Sequence, residues 1–153
     1  MIMTMMEMFD KRNSDFMAVV EKMMREGAAA NRPLTMGMAV RKALSGPAPK
    51  FYLTREHVWK KLLERRKMRV PPHEKPHRRR MWEEIEQALR KRLEERPGES
   101  EWWALDHVLA HHRPSGFFIT EEYARRLAYR AIHGQRDQRE RNRQTNRSYA
   151  YYD

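Results

Sequence analysis

Hydrophobic residues recur at helical spacing through most of the chain, with polar residues on the intervening positions. The clearest stripes are Phe16, Val20 and Met24 in the first part, and Trp82, Ile85 and Leu89 in the second. An i, i+3/i+4, i+7 spacing is typical of amphipathic α-helices, and it predicts an all-α fold.

Local signals place the ends of six predicted helices. Thr35, Thr54, Ser100 and Thr120 are good N-cap residues, because their hydroxyl oxygens accept otherwise unpaired backbone amides. Gly27, and then Pro97-Gly98, are typical helix stops. Helices are therefore expected over 14–26, 35–44, 54–67, 80–95, 100–109 and 120–134.

The helical pattern occurs twice. Residues 47–63 (PAPKFYLTREHVWKKLL) correspond to 113–129 (RPSGFFITEEYARRLAY) at an offset of 66, and the stripes upstream correspond at an offset of 65. Repetition at a fixed period indicates repeated structural units. The chain is predicted to contain two tandem three-helix units of about 65 residues.

The predicted units span 14–67 and 80–134. The remaining segments are a Met-rich N-terminal extension over 1–13, a basic linker containing prolines over 68–79, and an arginine-rich C-terminal tail over 135–153. The tail has no apolar period and is expected to be disordered.

The recurring loop motif has a structural explanation. In each copy two aromatic residues and an aliphatic residue precede the capping threonine. Leu53 or Ile119 can then pack as a hydrophobic staple onto the helix that follows, while Phe51 and Phe117 fill the gap between helices.

The positive charge is concentrated in one segment. The chain has 32 Lys and Arg against 21 Asp and Glu, a net charge of +11. Residues 60–80 alone contain ten basic and two acidic residues. This segment can be a solvated basic linker. It can also be a stripe that binds a polyanion, because clustered Lys and Arg release counterions from phosphates.

The second interpretation predicts a nucleic-acid interface that contacts phosphates. Its candidate residues are Lys60, Lys61, Arg65, Arg66, Lys67, Arg69, Arg78, Arg79, Arg80, Arg125, Arg126 and Arg130. A helix-turn-helix reader fits less well, because the connection between Leu44 and Thr54 exceeds the usual 3–4-residue turn.

Metal sites and catalytic sites are weakly supported. The chain has no cysteine, and His107 and His111 stand at i, i+4 without a HExxH glutamate. No glycine-rich phosphate loop or nucleophile–base set stands out. We therefore expect no cofactor, no metal and no enzymatic activity.

The sequence favours a cytoplasmic, non-enzymatic protein that binds the backbone of RNA or DNA. An accessory role in a ribonucleoprotein, mobile-element or phage complex fits this description. Because the chain has no run of 18 apolar residues, no membrane span is predicted. The alternative is a protein–protein adaptor or assembly subunit that uses the Met-rich N-terminal segment, for a partner or for self-association, together with Trp102 and Trp103.

Overall fold

The computed structural model describes residues 3–68 and 71–134, and these ranges contain α-helices and no strand. The helices are α1 (Met5–Ala29), α2 (Met36–Leu44), α3 (Arg55–Arg66), α4 (Pro76–Glu95), α5 (Glu101–His111) and α6 (121–134). The all-α prediction is confirmed. Arg69 and the tail over 135–153 lie outside the described residues.

The predicted hydroxyl caps are present. Thr35, Thr54, Ser100 and Thr120 each accept the backbone amide three residues further on, at 3.1–3.3 Å. Each oxygen satisfies one amide that the first turn leaves unpaired. The starts of α2, α3, α5 and α6 therefore agree with the sequence.

Two helices start earlier than predicted. α1 begins at Met5 rather than residue 14, because Thr4 caps it by accepting the Glu7 amide at 3.1 Å. Most of the Met-rich extension is consequently helical. α4 begins at Pro76 rather than residue 80, since a proline at the first helical position loses no hydrogen bond.

The end of α1 also differs from the expectation. The helix continues through Gly27 to Ala29, and Asn31 then adopts a left-handed conformation with φ of 56°. Gly27 remains important, because a Cβ atom there would lie 2.7 Å from the Arg32 carbonyl oxygen. The glycine lets the chain turn back closely over the last turn of the helix.

The helices pack around two hydrophobic cores that do not follow the order of the sequence. Core one contains residues of α1, α2 and α6, and core two contains residues of α3, α4 and α5. Core one includes Phe16, Val20, Val40, Phe117 and Ala124, and core two includes Val58, Leu62, Trp82, Ile85 and Leu105. Thus α6 packs with α1 and α2, and α3 packs with α4 and α5. Compared with two self-contained units over 14–67 and 80–134, the third helices are exchanged.

The exchange of the third helices takes place at the recurring loop motif. The Ala48 amide of one loop donates to the Pro114 carbonyl oxygen of the other at 3.2 Å. Tyr52 and Phe118 have φ of 59° and 56°. The two adjacent aromatic residues of each loop enter different cores, Phe51 and Phe118 core two, Tyr52 and Phe117 core one.

Each core therefore receives one aromatic ring from each loop. Phe51 and Phe118 stack in core two with 6.2 Å between ring centroids. Tyr52 and Phe117 stack in core one at 6.1 Å. The Tyr52 hydroxyl also donates to Asp15 of α1 at 2.6 Å, which fixes the loop against that helix.

Two ion pairs link exchanged helices, and the third helix carries the acid in one pair and the base in the other. Arg41 of α2 pairs with Glu121 of α6 at 2.8 Å, and Asp106 of α5 pairs with Arg55 of α3 at 3.4 Å. By the repeat offsets, Arg41 is equivalent to Asp106 and Arg55 to Glu121. Packing each third helix on its own unit would bring equivalent positions together as Arg41 with Arg55 and Asp106 with Glu121. The charges therefore favour the exchanged arrangement.

Truncating one loop phenylalanine should loosen the core of the other copy. We expect Phe117→Ala to cost about 3–5 kcal/mol of unfolding free energy, because the buried ring leaves a cavity. Amide exchange should accelerate in α1 and α2, and Phe51→Ala should act on α4 and α5 instead. Faster exchange confined to α4 and α5 in Phe117→Ala would contradict the exchange of helices.

Reversing one charge of each ion pair should destabilise the protein. In the double variant Arg55→Glu, Glu121→Arg both exchanged contacts become like-charged, whereas packing within each unit would become complementary. Ion pairs near the surface contribute roughly 0.2–1 kcal/mol each, so we expect their reversal to cost about 0.5–2 kcal/mol in urea denaturation. Arg55→Glu also removes the contact of the guanidinium with Trp102. Adding Arg41→Glu and Asp106→Arg should therefore restore the part of the stability that the ion pairs contribute, and no recovery in this quadruple variant would refute the argument.

Candidate nucleic-acid interface

The N-terminus of α4 carries an exposed cluster of positive charge, which we call the basic cluster (Lys75, Arg78, Arg79 and Arg80). Lys75 at the N-cap makes no side-chain capping bond, and the first turn contains no acidic residue. The helix macrodipole is positive at this end, so cations here are uncompensated and raise the local potential. None of the four forms an ion pair with another described residue.

Arg65, a predicted phosphate contact, is engaged inside the protein. Its guanidinium binds Glu74 at 2.6 Å and lies 3.8 Å from Glu86, and the side chains of Arg65 and Glu74 are only 13% and 6% exposed. The contact with Glu74 ties the linker to the end of α3, and the contact with Glu86 adds the middle of α4. Arg65 is therefore placed to support the basic cluster rather than to face solvent.

The other predicted residues fall into two groups. Lys60, Lys67 and Arg130 are exposed and have no ion pair within the described ranges. Lys61 lies 3.5 Å from Glu64, Arg66 pairs with Glu101, and Arg125 and Arg126 pair with Glu121 and Glu122 at 2.8 and 2.5 Å. Arg125 and Arg126 are thus paired with acids of their own helix, whereas Arg130 has no such partner among the described residues.

A groove of about 350 Å³ lies beside the basic cluster, between α1, α3, α4 and residues 117–123; we call it the central groove. Its lining contains no acidic residue. The basic side chains in the lining are Arg12, His57, Lys61, Lys75, His77 and Arg78. The central groove therefore combines a concave shape with charge of one sign, which focuses the field on an anion.

Arg12 is held in the central groove by neutral partners. Its Nε and Nη2 donate to the Asn13 side-chain oxygen at 3.2 and 3.1 Å. Its guanidinium lies 4.8 Å from the Phe9 ring centroid and 5.6 Å from that of Tyr123, whose hydroxyl accepts from Asn13 at 3.1 Å. The cation is fixed in position, but no described carboxylate neutralises it.

Three basic side chains of the central groove have a lowered pKa. Burial lowers the pKa of Arg12, and nearby Arg78 lowers it further. Burial also lowers the pKa of His77, with Arg78 and Lys75 adding to the effect. The pKa of His57 is lowered by burial and then by Lys61 and Lys60. A bound anion would relieve these unfavourable interactions.

The histidine pair considered as a metal site is not accompanied by further metal ligands in the described residues. His107 and His111 lie close on α5, with ring centroids 4.5 Å apart. Residues 3–68 and 71–134 nevertheless contain no group of three or more His, Asp or Glu able to bind a metal. Nor is any helix of that part of the chain both long and apolar enough to cross a membrane.

Comparison of the chain with protein-family models, with curated proteins and with solved structures finds no match.

Arg12 and Tyr123 of the central groove, and Asn13 that joins them, have almost no signal in the sequence. Arg12, Asn13 and Tyr123 look like ordinary polar positions on helices, and Asn13 contacts Tyr123 across 110 residues of sequence. The aromatic residue Phe9, almost one turn before Arg12, is the single local signal.

Neutralising Arg65 should destabilise the fold. Arg65→Gln leaves the buried Glu74 without its partner, and breaking a buried pair costs about 3–5 kcal/mol. The control Lys60→Gln, on an exposed position of the same helix, should change stability by less than about 0.5 kcal/mol in urea denaturation. Adding Glu74→Gln to Arg65→Gln should recover part of the stability; equal stability of Arg65→Gln and wild type would contradict a structural role.

Proposed function

We propose that this protein is a non-enzymatic nucleic-acid-binding protein that contacts the phosphate backbone of RNA or DNA. The observation that carries the proposal is the continuity of the basic cluster with the central groove, whose lining has no acid. Lys75 and Arg78 belong to both. Such a surface binds a polyanion by releasing condensed counterions.

The basic residues differ in how they serve this function. Arg78, Arg79 and Arg80 project from the positive end of α4 and have no described carboxylate partner. Arg12 adds a fixed guanidinium inside the groove, and Arg65 positions the linker. Backbone contacts of this kind position a nucleic acid without reading its sequence.

We infer two equivalent three-helix copies, over 14–67 and 80–134, whose third helices are exchanged. A surface suited to binding a polyanion is consistent with a cytoplasmic accessory subunit. The complex that contains it would be a ribonucleoprotein, mobile-element or phage complex.

A second candidate function, protein–protein adaptor, is favoured by a different observation. Met6 and Trp103 are 75% and 58% exposed. Trp102 and Trp103 lie over the Arg55 guanidinium, at 4.2 and 5.2 Å. Exposed Met and Trp residues are enriched in the cores of protein interfaces.

Neutralising the basic cluster should weaken nucleic-acid binding. We expect the triple variant Arg78→Gln, Arg79→Gln, Arg80→Gln to bind more weakly to all sequences tested. The slope of log affinity against log salt should flatten by about 0.9 for each duplex phosphate that the variant no longer neutralises, or by about 0.7 for a single strand. Fluorescence anisotropy at several salt concentrations measures both quantities.

The matched control removes the same charge elsewhere. The variant Arg90→Gln, Lys91→Gln, Arg96→Gln changes exposed residues at and just beyond the other end of α4. It should retain most of the affinity. An equal decrease of affinity in both variants would refute a localised site, and absence of binding by the wild type at low salt would favour the adaptor function.

A further inference from the structure

The central groove is aromatic as well as cationic. Six aromatic side chains line it: Phe9, Phe51, Trp82, Phe117, Phe118 and Tyr123. Phe51, Trp82 and Phe117 are buried and belong to the two cores. Phe9 is 40% exposed, and Phe118 and Tyr123 are partly exposed. Phe118 stacks on Phe51 with one face, and Arg12 lies against Phe9 and Tyr123, so the remaining exposed part of each of these three rings is accessible to a ligand.

The chemistry of the groove specifies a ligand that carries an aromatic ring beside a negative charge. Phosphate contacts alone would need only the exposed basic cluster. Partly exposed aromatic faces next to a fixed guanidinium are the arrangement that stacks unpaired nucleobases, with Arg adding cation–π interactions. Each nucleotide of a nucleic-acid strand supplies both an aromatic base and a negatively charged phosphate.

We propose that the central groove binds an unpaired base of a single-stranded nucleic acid by stacking on Phe9, Phe118 or Tyr123. The phosphates that flank this base lie on Arg12, Lys75 and Arg78. The inference rests on the proposed function and narrows it from nucleic acid in general to single strands.

The shape of the groove disfavours a duplex. In a double helix the bases are stacked and paired inside, and the phosphates are outside. A duplex can reach the exposed basic cluster, but its bases cannot reach aromatic rings in a groove of about 350 Å³ between four segments of the protein. A single strand can turn one base inward while its backbone continues along α4.

The position of Arg12 supports the same ligand. Asn13, Phe9 and Tyr123 hold the guanidinium in one orientation, so binding a phosphate needs little further ordering of the side chain. Because the holding groups are neutral, the positive charge remains for the ligand. The rings that hold Arg12 are two of the three that can accept a base.

Binding by the full-length chain should be measured with fluorescently labelled probes of equal length at low salt. The probes are oligo(dT), oligo(U), an abasic oligodeoxyribonucleotide, a DNA duplex and an oligoglutamate peptide. We expect the single strands to bind at least about fivefold more tightly than the abasic strand, because stacking contributes about 1–3 kcal/mol per base. The ratio of oligo(dT) to oligo(U) distinguishes DNA from RNA as the preferred strand.

Variants of Tyr123 test whether its aromatic ring, rather than the stability of the fold, determines the preference for bases. Tyr123→Leu should remove most of the preference for oligo(dT) over the abasic strand, and Tyr123→Phe should keep it. The matched control is Tyr129→Leu, because Tyr129 is 64% exposed on the same helix and does not line the groove. Arg12→Gln should weaken binding of the single strands and the abasic strand alike. Circular dichroism confirms that each variant is folded.

Photocrosslinking gives a second readout that does not depend on mutation. A strand containing 4-thiouridine should crosslink to peptides that contain Phe9, Phe118 or Tyr123. Crosslinks found only outside these peptides would overturn the assignment of the groove.

The outcomes separate the two proposals. Equal affinity for the abasic strand and for oligo(dT) would overturn base stacking while leaving phosphate binding intact. Tighter binding of the duplex or of oligoglutamate than of either single strand would likewise overturn the proposed occupant. Failure of every nucleic-acid probe to bind would overturn the proposed function as well.

Discussion

The stacking of aromatic rings from the two loops in two separate cores is the interaction on which the remaining structure depends. Each loop contributes two adjacent rings, one to each core. Tyr52 and Phe118 adopt a left-handed backbone, which costs a bulky residue on the order of 1–3 kcal/mol and persists only when its surroundings enforce it. Burial of those rings offsets the strain, and it commits each third helix to the opposite copy.

The central groove brings together segments that are far apart in the sequence, α1 and α3 from the first half and α4 and residues 117–123 from the second. Its lining contains pairs of positions related by the sequence offsets: Arg12 with His77, His57 with Tyr123, and Phe51 with Phe117. Of these pairs only the phenylalanines are identical. The other positions differ between the two segments, and they supply the cations and the stacking rings.

Sequence reasoning succeeded where the cause is local. A threonine or serine before an apolar stripe specifies a helix start by its own hydrogen bond, so four caps were predicted correctly. The exchange was missed because an apolar stripe shows that a helix face is buried but not which helix covers it, whereas the contacts that distinguish the partners, such as Arg41 with Glu121 and Arg55 with Asp106, join residues far apart in the sequence. The groove was missed for a related reason: Asn13 orients Arg12 with the help of Tyr123, a contact that no local pattern records.

Site-directed crosslinking tests the exchange most directly, because the chain has no cysteine and any introduced pair is unique. Arg41→Cys combined with Glu121→Cys should be joined within one chain by a short bifunctional maleimide, since α2 and α6 are in contact there. Arg41→Cys combined with Arg55→Cys is the matched pair that unexchanged packing would bring together. The structure predicts efficient crosslinking of monomers between positions 41 and 121 and little between 41 and 55. The reverse result would contradict the exchanged fold and the central groove that depends on it.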